Sequence, residues 1–164
     1  MTAELPDPYL LAHSKPVHFA RLKLPWPKPL ISLNDSRGTT RAAMYAHAAK
    51  VRSIQETIHL LGRRIRMPED HEYLIVQFNI RPDANRRMDT DNLAAFTKPI
   101  YDALAGGSAK IPGLGIVKDD TPAFMSKREP IIWPAIKGEK SVMWLDLFAL
   151  EKRPELPVWC ITNS

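Results

Sequence analysis

Cysteine is close to missing from this chain. Cys160 is the only one among 164 residues, which excludes an internal disulfide, and no Cys–His cluster has the spacing of zinc ligands. The N-terminus carries acids and prolines where a signal peptide needs a basic start and an apolar run. No apolar stretch approaches the roughly 20 residues that a bilayer-spanning helix requires. Internal repeats and low-complexity tracts are also absent, and the five histidines show no catalytic spacing. These absences lead us to expect a cytoplasmic protein, in a reducing compartment and away from membranes.

What is present suits one domain. A chain of 164 residues, 45% hydrophobic and 25% charged, buries one real core. Its 15 prolines imply fixed turns and long connections. The net charge of +5 suits a polyanionic partner. Residues 37–66 hold Arg37, Arg41, Lys50, Arg52, Arg63, Arg64 and Arg66 against the single acid Glu56, so this segment alone accounts for the excess.

Hydrophobic periodicity divides the chain into a mobile arm (1–16), a folded body (17–152) and a tail (153–164). Val17 to Leu24 reads as a strand stopped by Pro25-Trp26-Pro27, and a long polar loop follows to residue 40. From Arg41 to Leu61, Met44, Ala48, Val51, Ile58 and Leu61, with Ile54 or Gln55 between, mark an amphipathic helix that Gly62 should stop. The opposite face of that helix is basic, read either as a solvated surface or as a contact for a phosphate backbone. His71 to Arg81 reads as a buried strand ended by Pro82. Leu93, Phe96, Ile100 and Leu104 mark a second helix stopped by Gly106-Gly107, with Pro99 either kinking it or starting a new one. Strands are expected around Phe124 to Trp133 and Val142 to Leu150. In the last, Met143, Leu145, Leu147 and Ala149 form the more apolar face. The order β-α-β-α-β-β predicts an α+β fold, a small mixed sheet with helices packed on it.

Asp89 and Asp91, two apart, aim their carboxylates the same way in an extended segment, although Asp91 or Thr90 could instead cap the following helix. Asp119-Asp120 follow a second short apolar run, and such pairs are commonly just solvated charge. Hard divalent ions take oxygen ligands and keep several waters, so two or three converging carboxylates suffice, and such ions assist in-line displacement at phosphorus. Arg86, Arg87 and Lys98 bracket the first acid pair as phosphate-holding candidates, or offset Asp83 and Asp89. Asp102, four residues after Lys98, reads as its helical ion-pair partner. Trp26 reads as packing on the core edge, with insertion between bases the alternative. Trp133, Trp144 and Trp159 are taken as core or interface residues, and His18 as structural.

The run Arg86-Arg87-Met88-Asp89-Thr90-Asp91-Asn92-Leu93, then Lys98-Pro99, Asp102-Ala103-Leu104 and Val117-Lys118-Asp119-Asp120, resembles the signature of RusA-type crossover-junction endodeoxyribonucleases. Leu24-Pro25-Trp26-Pro27 and Asn34 resemble that family's opening, so the similarity covers most of residues 17–150. The resemblance implies a RusA-like fold and a homodimer that binds four-way (Holliday) junctions in branched DNA. It also implies paired cuts that depend on magnesium, with manganese as a substitute. It maps the essential acids onto Asp89, Asp91 and Asp120, with Asp119 as a further metal ligand. Lys98 matches the family's lysine but stands seven residues after Asp91, where about one helical turn is usual. Lys28, Asn34 and Arg37 are assigned to DNA as a polar clamp facing the acids, together with Arg86 and Arg87; each is otherwise an ordinary exposed residue. Two alternatives remain open: a branched-DNA-binding module without catalysis, and a metal-dependent nuclease for flaps or simpler branches.

Overall fold

The computed structural model describes residues 15–35 and 38–153. Arg37, Trp159, Cys160 and nearly all of the expected arm and tail lie outside the described residues. The elements run β1 (Val17–Lys23), α1 (Arg41–Gly62), β2 (Tyr73–Arg81), a turn of 3-10 helix (Thr90–Leu93), α2 (Ala94–Leu104), β3 (Met125–Lys127), β4 (Ile131–Ile132) and β5 (Val142–Leu150). The fold is α+β, as the periodicity implies. Among the described residues five strands form one mixed sheet in the order β1-β5-β2-β3, with β4 also on β2. The β1–β5 and β5–β2 pairs are antiparallel, whereas β3 and β4 run parallel to β2.

The expected strand from Phe124 to Trp133 is two strands. Arg128 still donates its backbone N–H to the Val76 carbonyl at 3.0 Å, but Pro130 has no N–H to give, and the ladder lapses. The Gln77 side-chain amide fills the gap by donating to the Glu129 carbonyl at 2.8 Å.

Both helices cover one face of the sheet. Ile54 and Ile58 of α1 and Phe96, Ile100 and Leu104 of α2 meet Leu74, Val76, Phe78 and Ile80 of β2 and Met143, Leu145 and Leu147 of β5 in one core. The apolar face read from β5 is therefore the helix-covered one. Trp26 packs at the edge of this core, its ring edge-on to Phe96 with centroids 5.8 Å apart.

Three expectations for the helices change. Thr40 caps α1, its hydroxyl accepting from Ala43 N at 3.2 Å, but the first turns have nothing beneath them: Met44 is 63% exposed and Ala48 is exposed as well. The apolar period runs the length of α1, yet the sheet reaches only its second half. Gly62 is the last helical residue rather than a stop, and its lack of a side chain admits Leu114, whose Cδ1 would lie 2.0 Å from an added Cβ. Pro99 does not start a new helix: α2 runs through it from Ala94 to Leu104. Complete burial of Phe96, Ile100 and Leu104, at about 1.5–3 kcal/mol each, outweighs an interior proline's roughly 3 kcal/mol. Past the end of α2, Gly107 takes φ +68°, where a Cβ would strike the Ile111 carbonyl.

On the sheet face without helices, Asp146 is buried, and its carboxylate accepts from His18 Nε2 (2.9 Å), Arg21 Nε and Nη2 (2.7 and 3.0 Å), Asn79 Nδ2 (3.2 Å) and Trp144 Nε1 (3.1 Å). Burial pushes its pKa up, but the hydrogen bonds from Arg21, His18 and Trp144, with the Arg21 charge, outweigh burial and hold it below the ordinary carboxylate value. A depressed native pKa stabilises the fold above the unfolded value, near 4, and that stability is lost as pH falls through the native value. Asp146→Asn is therefore expected to lower the urea midpoint at pH 7 and to flatten its decline on acidification, a comparison made by unfolding both proteins from pH 7 down to pH 3.

Candidate functional site

The two acid motifs arrive at α2 from opposite ends of the chain's path. At the end of β2, Pro82 turns the backbone out of the sheet and the loop to Asp89 leads into the 3-10 turn. Asp89 is the capping residue of that turn: its Oδ1 accepts from Asp91 N at 3.1 Å, and its carbonyl accepts from Asn92 N at 3.2 Å. The cap expected at Asp91 or Thr90 thus falls on Asp89, because the turn begins one residue earlier. Asp89 keeps its second oxygen clear of this bond, and both acids are exposed.

The second motif is delivered by the loop after α2. Leu114, Gly115 and Ile116 donate their N–H groups to the last carbonyls of the helix region, Ala103, Ala105 and Leu104, at 2.7–3.0 Å. These bonds satisfy carbonyls that a helix end leaves open. They fold the loop back on the helix, seat Ile116 and Val117 in the core, and leave Asp119-Asp120 beside α2. Lys98 joins α2 to this loop: its Nζ lies 3.6 Å from Asp102 and 3.9 Å from Asp120. The ion pair with Asp102 is present as the helical spacing implied, and the same ammonium also reaches the second acid motif.

Asp120 has a closer partner that sequence reasoning missed. Lys127, at the end of β3, donates to Asp120 Oδ2 at 2.6 Å and sits 5.2 Å from the centroid of the Tyr101 ring. The Lys127 hydrogen bond is the largest cause of a lowered Asp120 pKa; burial opposes it, while the charges of Lys127 and Lys98 and a hydrogen bond from Asp119 add to it. Asp119 Oδ1 accepts from Asp120 N at 2.7 Å, which turns the pair into a tight loop. Nothing in the spacing of Lys127 marks it: it reaches Asp120 only because β3 pairs with β2 and so passes α2.

In donor type these acids suit a hard divalent ion, which takes carboxylate oxygens and needs few of them from the protein. In arrangement they form an open set. Among the described residues no three His, Cys, Asp or Glu side chains are gathered as a ligand group, and Asp120 is engaged by Lys127.

Of the residues assigned to a nucleic acid, Lys28 and Arg86 come together. They line a groove of about 730 Å³ with Lys140, Ile80 and Met88. Arg86 also holds Asp83 at 3.3 Å, so charge offset and groove lining coexist. An adjoining groove of about 540 Å³ adds Lys23 and Arg81 and shares Pro27, Glu139, Lys140 and Ser141 with the first. Lys23, Arg81 and Lys140 were not singled out from the sequence, since cations at strand ends and in turns are ordinary there. Arg87 and Asn34 are exposed and line neither groove. The Asn34 loop leans instead toward α1, where Lys50 lies 3.9 Å from Asp35. The basic side of α1 forms a further groove of about 740 Å³, in which Arg52, His59 and Arg63 face Lys110.

No protein-family model matches the chain, and no curated protein sequence does so either. Among the described residues no helix is long and apolar enough to cross a membrane.

Lys127→Met removes the largest influence holding the Asp120 carboxyl down. Its pKa is expected to rise to or above the ordinary carboxylate value, since burial then acts with less opposition. Carboxyl carbon NMR titration of the two proteins measures this directly; an unchanged Asp120 titration would mean that the pair does not persist in solution.

Proposed function

We propose that the chain is a magnesium-dependent endodeoxyribonuclease that cuts branched DNA at four-way junctions, as the RusA-type resolvases its motifs resemble do. The observation that carries this reading is Lys98. It stands on the helix that the Asp89–Asp91 turn leads into, and its ammonium lies 3.9 Å from Asp120, so the cation that the resemblance assigns to the site meets the second acid motif.

In this reading Asp89, Asp91 and Asp120 hold magnesium, with Asp119 beside them, and manganese serves in its place. When bound, the ion supplies positive charge to the oxygens exchanged at phosphorus. The chain's own residues supply the rest. Lys98 offsets charge that develops on the phosphate. Lys127 keeps Asp120 ionised and turned toward α2. Lys28 and Arg86 hold a DNA backbone in their groove, with Arg87, Asn34 and Arg37 contributing from the flanking loops. Paired symmetric cuts need two such sites, which a two-fold homodimer supplies. A cytoplasmic setting is part of the same proposal.

A second reading has an observation in its favour: Asp120 already has a lysine within hydrogen-bond distance, and the acids are not drawn into one group. A branched-DNA-binding module without catalysis would keep this arrangement permanently.

A synthetic four-way junction and a matched linear duplex, each incubated with magnesium and with EDTA, separate the two on a denaturing gel. Paired nicks confined to the junction and dependent on magnesium are expected. Asp91→Asn should lower cutting by at least about a hundredfold, the scale of losing one electrostatic stabiliser, while junction affinity in EDTA stays close to that of the parent. Tight junction binding with no cut under any divalent ion would establish the binding module instead. In the same assays, Lys28→Ala and Arg86→Ala should each reduce the slope of log affinity against log salt by about 1, as loss of one phosphate contact requires. An unchanged slope in both would remove that groove from the interface.

A further inference from the structure

The sheet face opposite the helices carries more order than a solvated face needs. An antiparallel sheet can leave one face to water with simple polar residues. Here a buried carboxylate and a buried amide are used to fix two indoles. Trp144 donates its Nε1–H to Asp146, and Trp133 donates its own to Asn79 Oδ1 at 3.0 Å. Asn79 is in turn bonded to Asp146 through its amide nitrogen. The two rings stack with centroids 6.1 Å apart at 26°, and the Arg21 guanidinium lies 5.7 Å from the Trp144 centroid. The stack therefore runs Arg21, Trp144, Trp133. Its last member is 44% exposed, and Ile131 and Ile136 beside it in sequence are exposed to a similar degree.

Cations lead to this stack from the candidate site. Lys23 is the cross-strand partner of Trp144, and Arg81 that of Val142. Both line the groove that shares Lys140 with the Lys28 and Arg86 groove, whose wall reaches Met88 beside Asp89. Arg81 is ion-paired with Glu139 of the same grooves, so the path for a polyanion around the turn at 138–141 onto the sheet face rests on Lys28, Lys140 and Lys23.

We propose that this face is a stacking platform for unpaired bases of a DNA strand, with Trp133 as the base-contacting ring and Lys23 and Lys140 following the phosphates. Indoles locked by their N–H groups lose little freedom when a base stacks on them, and an aromatic face accepts any base. The backbone cations supply affinity without sequence preference. A second copy of the chain fits less well, because a two-fold contact would lay this cationic rim against itself. The proposal rests on the DNA-binding part of the reading above and is independent of cutting.

The test is titration of the full chain with oligothymidylate in EDTA, followed by tryptophan fluorescence and by anisotropy of a labelled strand. Saturable quenching is expected. Trp133→Leu should remove most of the quenching and weaken binding roughly tenfold, while Trp133→Phe, which keeps a ring, should retain most of the affinity. Both variants lose the bond to Asn79 and should unfold at a similarly lowered temperature, so comparing them with each other separates loss of the ring from loss of the fold. Three outcomes overturn the proposal: no binding of oligothymidylate by the parent chain, equal affinity in the leucine variant, or equal loss in the leucine and phenylalanine variants. A leucine variant that changes sedimentation but not oligonucleotide binding would reassign the face to contact between copies. A chain that binds oligothymidylate through Trp133 yet never cuts a junction would keep this platform and remove the nuclease reading.

Discussion

Everything in this molecule is arranged around a strand that is buried on both faces. From Tyr73 to Ile80, β2 has no exposed residue, and it is bonded along one edge to β5 and along the other to β3 and β4. A central strand with neighbours of opposite sense forces the chain to make two different returns. The antiparallel neighbour closes the sheet toward β1, and the parallel one requires a crossover, which here is α2. The acid motifs sit at the two ends of that crossover: one on the way out of β2, the other on the way back to β3. Their proximity to α2 thus follows from the topology.

The polar residues of β2 make that burial possible. Gln77 and Asn79 point to the face without helices, where unpaired amides would be destabilising. Gln77 satisfies the carbonyl left open where β3 breaks from β4, and Asn79 joins Asp146 to Trp133. Each amide thus mends a defect or fixes a ring, and the face behaves as a second, thinner core built on hydrogen bonds instead of aliphatic contact.

The sequence made the strands at Val17, His71 and Val142 and both helices legible, because periodicity reports which side of an element meets apolar neighbours. Periodicity does not report how far those neighbours extend, and so Met44 and Ala48 read as core although the sheet ends before reaching them. Pro99 fails to divide α2 for a related reason: local propensity is outweighed where three large side chains are fully buried around it. Around the candidate site, the ion pair of Lys98 with Asp102 was legible from helical spacing, whereas the acids and Lys98 were picked out by resemblance, and no local pattern placed Lys28 and Arg86 in one groove. Lys127, Lys140 and the Trp133 and Trp144 stack were not legible either. Their positions depend on strand pairing between distant segments, and no local pattern encodes it. Asn34 lines neither groove; the next residue of its loop, Asp35, stands 3.9 Å from Lys50 of α1.

The two margins of the sheet share a property that bears on how the protein behaves in a crowded cell. Along β3 and β4 the ladder is interrupted at Pro130, and along β1 the register slips between His18 and Ala20, with Arg21 and Lys23 beyond the slip. A foreign strand trying to add to either margin would meet two short, interrupted strands on one side and a bulge with cations on the other. The molecule is guarded at both rims against edge-to-edge growth into aggregates. Among the described residues, the broad faces of the sheet and the helices remain as surfaces free of these guards.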